Sequence, residues 1–254
     1  MTHARLISPR TTVVFDIYGT LLDEAGTIMA ETTDALGSTL GNERAAAFAN
    51  SWQEQVSAQV RAVVNGEKQW RGTDDIHQAV LAKLLTDHGL APAGAEYIAL
   101  AQVAHRLSAF TGAATGLESL SQSARVIGLT NTDLAAASDA SAGAGLRWHA
   151  LLSTELARTF KPRPDAYRLA EDLAGVDPDH SIFVAAHPWD LRAAARRGYV
   201  TAYLPRPHTD NDAAEGEFDH HVDSLEALIP IAAALSMATS DVPEESEPAS
   251  PRIR

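Results

Sequence analysis

Apolar and polar positions follow two different rhythms along this chain. From Leu117 to about Leu204, short apolar runs near 125–130, 148–153, 181–186 and 200–204 are separated by stretches near 132–143, 164–174 and 190–197 with helical spacing. That alternation is the βαβ pattern of a parallel sheet. A β-branched and aromatic run, Val13-Val14-Phe15, predicts one more buried strand at 12–16, giving an α/β fold with a doubly wound, five-stranded parallel sheet. Between about Thr27 and Phe110 the strand rhythm stops. Long Ala-, Leu- and Gln-rich stretches with helical spacing, broken at Gly41-Asn42, Asn65-Gly66 and from Gly89 to Gly94, predict an all-helical insert. The expected organisation is a core of residues 1–26 and 111–236, a helical domain at 27–110, and a disordered acidic tail at 237–254, where Glu244, Glu245 and Glu247 sit among Ser and Pro.

The polar residues that end the apolar runs are the candidates for chemistry. In open α/β sheets ligands bind outside the carboxyl ends of the strands. The first run delivers Asp16 at that place, just before Gly19 lets the chain turn away. A carboxylate there is a candidate nucleophile or metal ligand, although a lone Asp at a strand end also serves as an ordinary turn residue. The second run, Val126 to Leu129, ends in Thr130 and Asn131. Phe160-Lys161-Pro162 places a lysine just before a helix that starts near Pro164, where proline suits the first turn. The run Ile182 to Ala186 is followed by His187, Pro188, Trp189 and Asp190.

In this order and spacing, the four segments resemble the four motifs of the haloacid dehalogenase-like superfamily of hydrolases. The first of these reads, after its strand, Asp-x-[Asp/Tyr]-Gly-Thr-Leu, and here it is Asp16-Ile17-Tyr18-Gly19-Thr20-Leu21. The resemblance implies that the helical insert is a cap over the active site. Phosphatases of the superfamily carry a second Asp where this chain has Tyr18. A phenol with an ordinary pKa near ~10 is a poor proton donor to a leaving alcohol. Tyr at that place is typical of the metal-independent 2-haloacid dehalogenases, which displace halide with the Asp and then hydrolyse the resulting ester.

Carried over residue by residue, the resemblance makes Asp16 the nucleophile and has Thr130 and Asn131 hold or orient the substrate. It pairs Lys161 with Asp16, and makes Asp190 the partner of Lys161 and of the hydrolytic water. Tyr18 and Tyr167 are expected in the pocket. Where those enzymes have Ser and Asn in the fourth motif, this chain has Ala185 and His187. His187 is then either a base beside the nucleophile or a structural residue. The cap arginine that grips the leaving halide aligns with Trp52, leaving Arg61, Arg71 or Arg106 as its possible replacements.

Composition narrows the remaining classes. The 254 residues are 45% hydrophobic, enough for a sizeable core. They contain no cysteine, which excludes disulfides, thiolate chemistry and cysteine-ligated zinc. A net charge of −13 argues against a nucleic-acid partner. There is no run of 18 apolar residues and no apolar leader, so a cytoplasmic location without a membrane partner is expected. The histidines form no ligand spacing, so neither metal nor cofactor is expected. The expected partner is a small organic acid, and a homodimer is compatible with the sequence. Besides dehalogenation, two readings stay open: a phosphatase of a small metabolite, and an inactive member that binds a small acid or a protein.

Overall fold

The computed structural model describes residues 11–91, 94–209 and 212–240. Strand β1 (Thr12–Phe15) is followed by four helices, α1 (Glu24–Leu40), α2 (Asn42–Val64), α3 (Thr73–Asp87) and α4 (Ala95–Ala101), and a short 3-10 turn at 103–105. Then α5 (Ala113–Ser121) leads into β2 (Arg125–Thr130), α6 (Leu134–Gly143), β3 (Ala150–Ser153), α7 (Pro164–Ala174), β4 (Ser181–Ala185), α8 (Pro188–Ala195) and β5 (Val200–Tyr203). A two-residue strand β6 (His220–His221) and helix α9 (Leu228–Ser240) complete the order.

The strands form one parallel sheet in the order β3-β2-β1-β4-β5-β6. Among the described residues six strands are therefore present where the apolar pattern predicts five. The extra one, β6, is too short to carry a period. It is pinned at the sheet edge by the preceding Asp219, whose carboxylate accepts from Thr201 N and Oγ1, both at 2.8 Å. Residues 237–240, expected to begin a disordered tail, are the last turn of α9, and the rest of that tail lies outside the described residues.

Because helices cover both faces of the sheet, β1 is apolar after Thr12 and buries all four residues. Val13 and Phe15 point to one face, in a cluster that includes Leu117 of α5, Ala136 of α6 and Leu228 of α9. Val14 points to the other, where it joins Ile127, Phe183, Tyr167 of α7 and Leu191 of α8. Among the described residues no helix is long and apolar enough to cross a membrane.

Helices α1 to α4 bury their own apolar faces together, with Leu36, Phe48, Trp52, Leu81 and Leu85 almost fully enclosed. The two chain segments that leave and re-enter the sheet are joined by Asp23 N donating to Ser108 O at 2.8 Å and Phe110 N to Leu21 O at 2.9 Å. A second tie lies farther out. Asp133, just before α6, accepts from Thr73 N and Asp74 N, both at 2.9 Å, so a residue after β2 caps the first turn of α3.

Candidate active site

Strand order reverses about β1 and β4, which places the crevice of a doubly wound sheet at their carboxyl ends. Asp16 lies there. Its N–H donates to Val184 O at 2.9 Å, extending the β1–β4 pairing by one residue. The chain then reverses through Gly19 at φ +79°, a conformation glycine adopts without strain. Space demands glycine as well, since a β-carbon there would lie 2.7 Å from His187 Nε2. Thr20 ties the loop to β4: its hydroxyl donates to Asp16 Oδ2 at 2.7 Å and accepts from Ala186 N at 2.9 Å.

Lys161 connects two carboxylates. Its Nζ donates to Asp16 Oδ1 and to Asp190 Oδ2, each at 2.6 Å, and all three side chains are buried. Tyr167 donates its hydroxyl to the other oxygen of Asp190. Asn131 holds the backbone that presents the lysine, because its Oδ1 accepts from Lys161 N at 2.7 Å. Burial alone would raise the Asp16 carboxyl. The charge and hydrogen bond of Lys161, with help from His187 and Thr20, override it and hold Asp16 below its ordinary range. Burial likewise opposes the charge on Lys161, and the two carboxylates override it, so the ammonium is stabilised. Asp190, fully buried and facing Asp16, is raised. The result is an ionised carboxylate aimed at the crevice, with its counter-cation fixed behind it.

In front of Asp16 lies a cavity of about 900 Å³. Tyr18, Thr130, Asn131, Lys161 and His187 line it from the sheet side. From α2 come Gln53, Val56, Val60, Arg61 and Val64, and from α3 Thr73 and His77. Tyr18 also donates its hydroxyl to Ala104 O at 2.7 Å, linking the loop after β1 to the helical segment. Burial pushes its phenol well above the ordinary range, so it stays protonated. Of the three arginines considered from sequence, Arg61 lines this cavity. Arg106 pairs with Glu31, and Arg71 donates to Asp75 O at the edge of a separate groove.

Two expected pocket residues lie elsewhere. Trp52 is fully enclosed in the helical segment, edge-on to the His77 ring, and its Nε1 donates to His77 O at 3.2 Å. Its neighbour Gln53 takes the cavity-facing position. Tyr167, also fully buried, packs beneath Asp190 and does not line the cavity. Conversely, sequence reasoning missed Glu24, the first residue of α1, which lines the cavity. Burial raises its carboxyl to about 7. It also missed Thr20, although that residue stands inside the first motif. Among the described residues, no group of three or more His, Asp or Glu is placed to hold a metal ion.

With this geometry the comparisons agree. The profile of the haloacid dehalogenase-like hydrolases matches residues 11–198, and the protein belongs to that family. It is 32% identical to an (S)-2-haloacid dehalogenase of Xanthobacter autotrophicus over 198 residues, 76% of this chain and 74% of that one. It is 28% identical to (S)-2-haloacid dehalogenase 4A of Burkholderia cepacia over 232 residues, 87% of this chain and 94% of that one. A solved L-2-haloacid dehalogenase, PA0810, superposes with a TM-score of 0.80 at 28% identity, covering 89% of this chain and 99% of its own.

Proposed function

We propose that the protein hydrolyses small 2-haloacids through an ester on Asp16, with the helical segment 27–110 acting as a cap. The observation that carries this reading is the ionised Asp16, backed by Lys161 at 2.6 Å and open to a cavity to which the helical side contributes a second cation, Arg61. An Asp16 oxygen attacks C2 of the substrate, the carbon–halogen bond breaks, and the halide leaves with the bonding pair. Water then hydrolyses the ester, releasing a 2-hydroxyacid and regenerating Asp16. Thr130 and Asn131 orient the substrate carboxylate. Arg61 stabilises the charge that builds on the leaving halide, a kind of contact whose removal costs ~100-fold in rate.

The named relatives support this reading, and a solved structure of an L-2-haloacid dehalogenase from Xanthobacter autotrophicus, aligned to this chain at 23% identity, carries chloropropionic acid covalently bound. Tyr18 supports it too, because a buried phenol cannot supply the acid that a phosphatase needs at this place. The test is a panel of chloro- and bromoacetates and (S)-2-halopropionates beside a panel of phosphate esters, each with and without EDTA. Halide release that survives EDTA is expected. Phosphate release that requires Mg²⁺, with no halide release, would replace this reading with the phosphatase one.

A further inference from the structure

Asp190 is poorly placed to serve the hydrolytic water. It is completely buried, it does not line the cavity, and each of its oxygens already accepts a hydrogen bond, one from Lys161 and one from Tyr167. Enclosed in this way, its oxygens do not meet a cavity water. Some other group must then activate the water that attacks the Asp16 ester.

The cavity wall offers one. His187 follows β4, retains 22% of its side-chain exposure, and holds Nε2 3.8 Å from Asp16 Oδ2. Its ring stacks on Trp189 with centroids 5.5 Å apart, sits 3.3 Å from Tyr18 O, and occupies the space that Gly19 leaves free. Glu24 lines the same cavity from the start of α1, partly buried and within the electrostatic field of His187. The imidazole thus borders the same side of the cavity as the Asp16 carboxyl group.

We propose that His187 is the base for ester hydrolysis and that Glu24 is its carboxylate partner. This rests on the dehalogenase reading above. Water oxygen bonds to Cγ of the Asp16 ester while one water proton passes to the imidazole, and Glu24 stabilises the imidazolium. The bond between Cγ and the substrate oxygen then breaks, and the leaving alkoxide takes the proton from His187 as the 2-hydroxyacid. Asp16, now a carboxylic acid carrying the water oxygen, loses its remaining proton to solvent. Overall, 2-haloacid and water give 2-hydroxyacid, halide and one proton.

The pH dependence follows from the groups around the pair. Asp16 and Lys161 face it from the sheet, Asp23 from the start of α1, Glu54 and Arg61 from α2, His77 from α3 and His208 from the loop after β5. Glu24 must be ionised to stabilise an imidazolium, and its carboxyl is raised to about 7. Ester hydrolysis should therefore rise with pH through about 7.

The experiment is rapid-quench single turnover of (S)-2-bromopropionate by wild type, His187→Ala, His187→Gln and Glu24→Gln, reading halide and the mass of the Asp16 peptide, with circular dichroism to verify folding. Both His187 variants should release about one equivalent of halide and accumulate the ester, with steady turnover slowed ~100-fold or more. Glu24→Gln should keep the halide burst, slow ester decay, and lose the acid limb. Turnover of a folded His187 variant within about threefold of wild type would overturn the proposal, since general-base catalysis is worth at least ~100-fold. Loss of the burst from both folded His187 variants would also overturn it, by placing the residue in the first half-reaction. Failure of the dehalogenase reading shows separately, as absence of halide release by the wild type.

Discussion

Replacing Lys161 with Met tests the arrangement on which everything else at this site depends. The ammonium lies 2.6 Å from an oxygen of Asp16 and 2.6 Å from one of Asp190, with 1% of its side chain exposed. At an effective dielectric of about 20, each contact carries ~6 kcal/mol of attraction, most of it cancelled by the desolvation of three charged groups. The cancellation fails when one partner is removed, because two buried carboxylates then face each other unpaired, and about 3–5 kcal/mol of stability is lost. The sign of the pH dependence follows from the carboxyls. In the wild type Asp16 is held below its ordinary range, so its contribution is present above ~3.9 and lost as pH falls. In the variant, burial and mutual repulsion push the carboxyls up, so stability falls as pH rises above the same value. Urea denaturation at pH 4.5 and pH 7 should therefore show a gap that widens toward neutrality. Halide release at pH 7 should disappear, because a protonated Asp16 is no nucleophile. A gap below about 1 kcal/mol at pH 7, or one equal at both pH values, would refute the assignment of Lys161 as the buried counter-ion.

His77 is neutral in the folded protein, its imidazole lowered by burial to about 4, and its Nδ1 has no hydrogen-bond partner. Its contribution is present above ~6.5 and lost as pH falls toward about 4, up to about 3 kcal/mol; His77→Phe should flatten that acid limb in denaturation midpoints, and an unaltered limb would refute the burial argument. Trp52→Arg buries a guanidinium among apolar side chains and should cost about 3–5 kcal/mol, whereas Gln53→Arg adds a cation to the cavity wall and should leave the melting temperature near that of the wild type. Melting curves of the two variants distinguish these positions directly, and equal stability would refute the placement of Trp52.

The sheet was legible because a strand covered on both faces is built around a continuous apolar run, and five segments carry one. Val13-Val14-Phe15 buries on two sides at once, so it reads as a continuous run with no alternation. His220-His221 meets no such condition. One of the two residues is exposed, and what makes them a strand is Asp219 bonding across to Thr201, a contact between residues 18 apart that leaves no local periodic trace. Similarly, α9 runs on to Ser240 past the point where polar composition suggested a tail, because Leu228 and Ala232 anchor it on the apolar face of the core.

At the site, residues that act from strand ends were legible and those that act from helices were not. Asp16, Thr130 and His187 each follow an apolar run and Lys161 precedes a motif proline, and the parallel sheet brings such positions together whatever intervenes. A helix offers no comparable fixed point. On α2 the residues facing the cavity include Gln53, Ser57, Val60, Arg61 and Val64, a stripe spaced by three and four that mixes polar with apolar types. That stripe sets the rotation of the helix, and a shift of one residue turns the assigned face by about 100°. Trp52 fell one position from the stripe and went into the core, and Gln53 took its place at the cavity. Glu24 was hidden for a related reason: beside the N-capping Asp23 it reads as an ordinary acid in a first helical turn, where negative charge is favoured anyway. The angle at which α1 leaves the sheet, set by the pairing of Asp23 with Ser108 and Phe110 with Leu21, brings that acid to the cavity that His187 also lines.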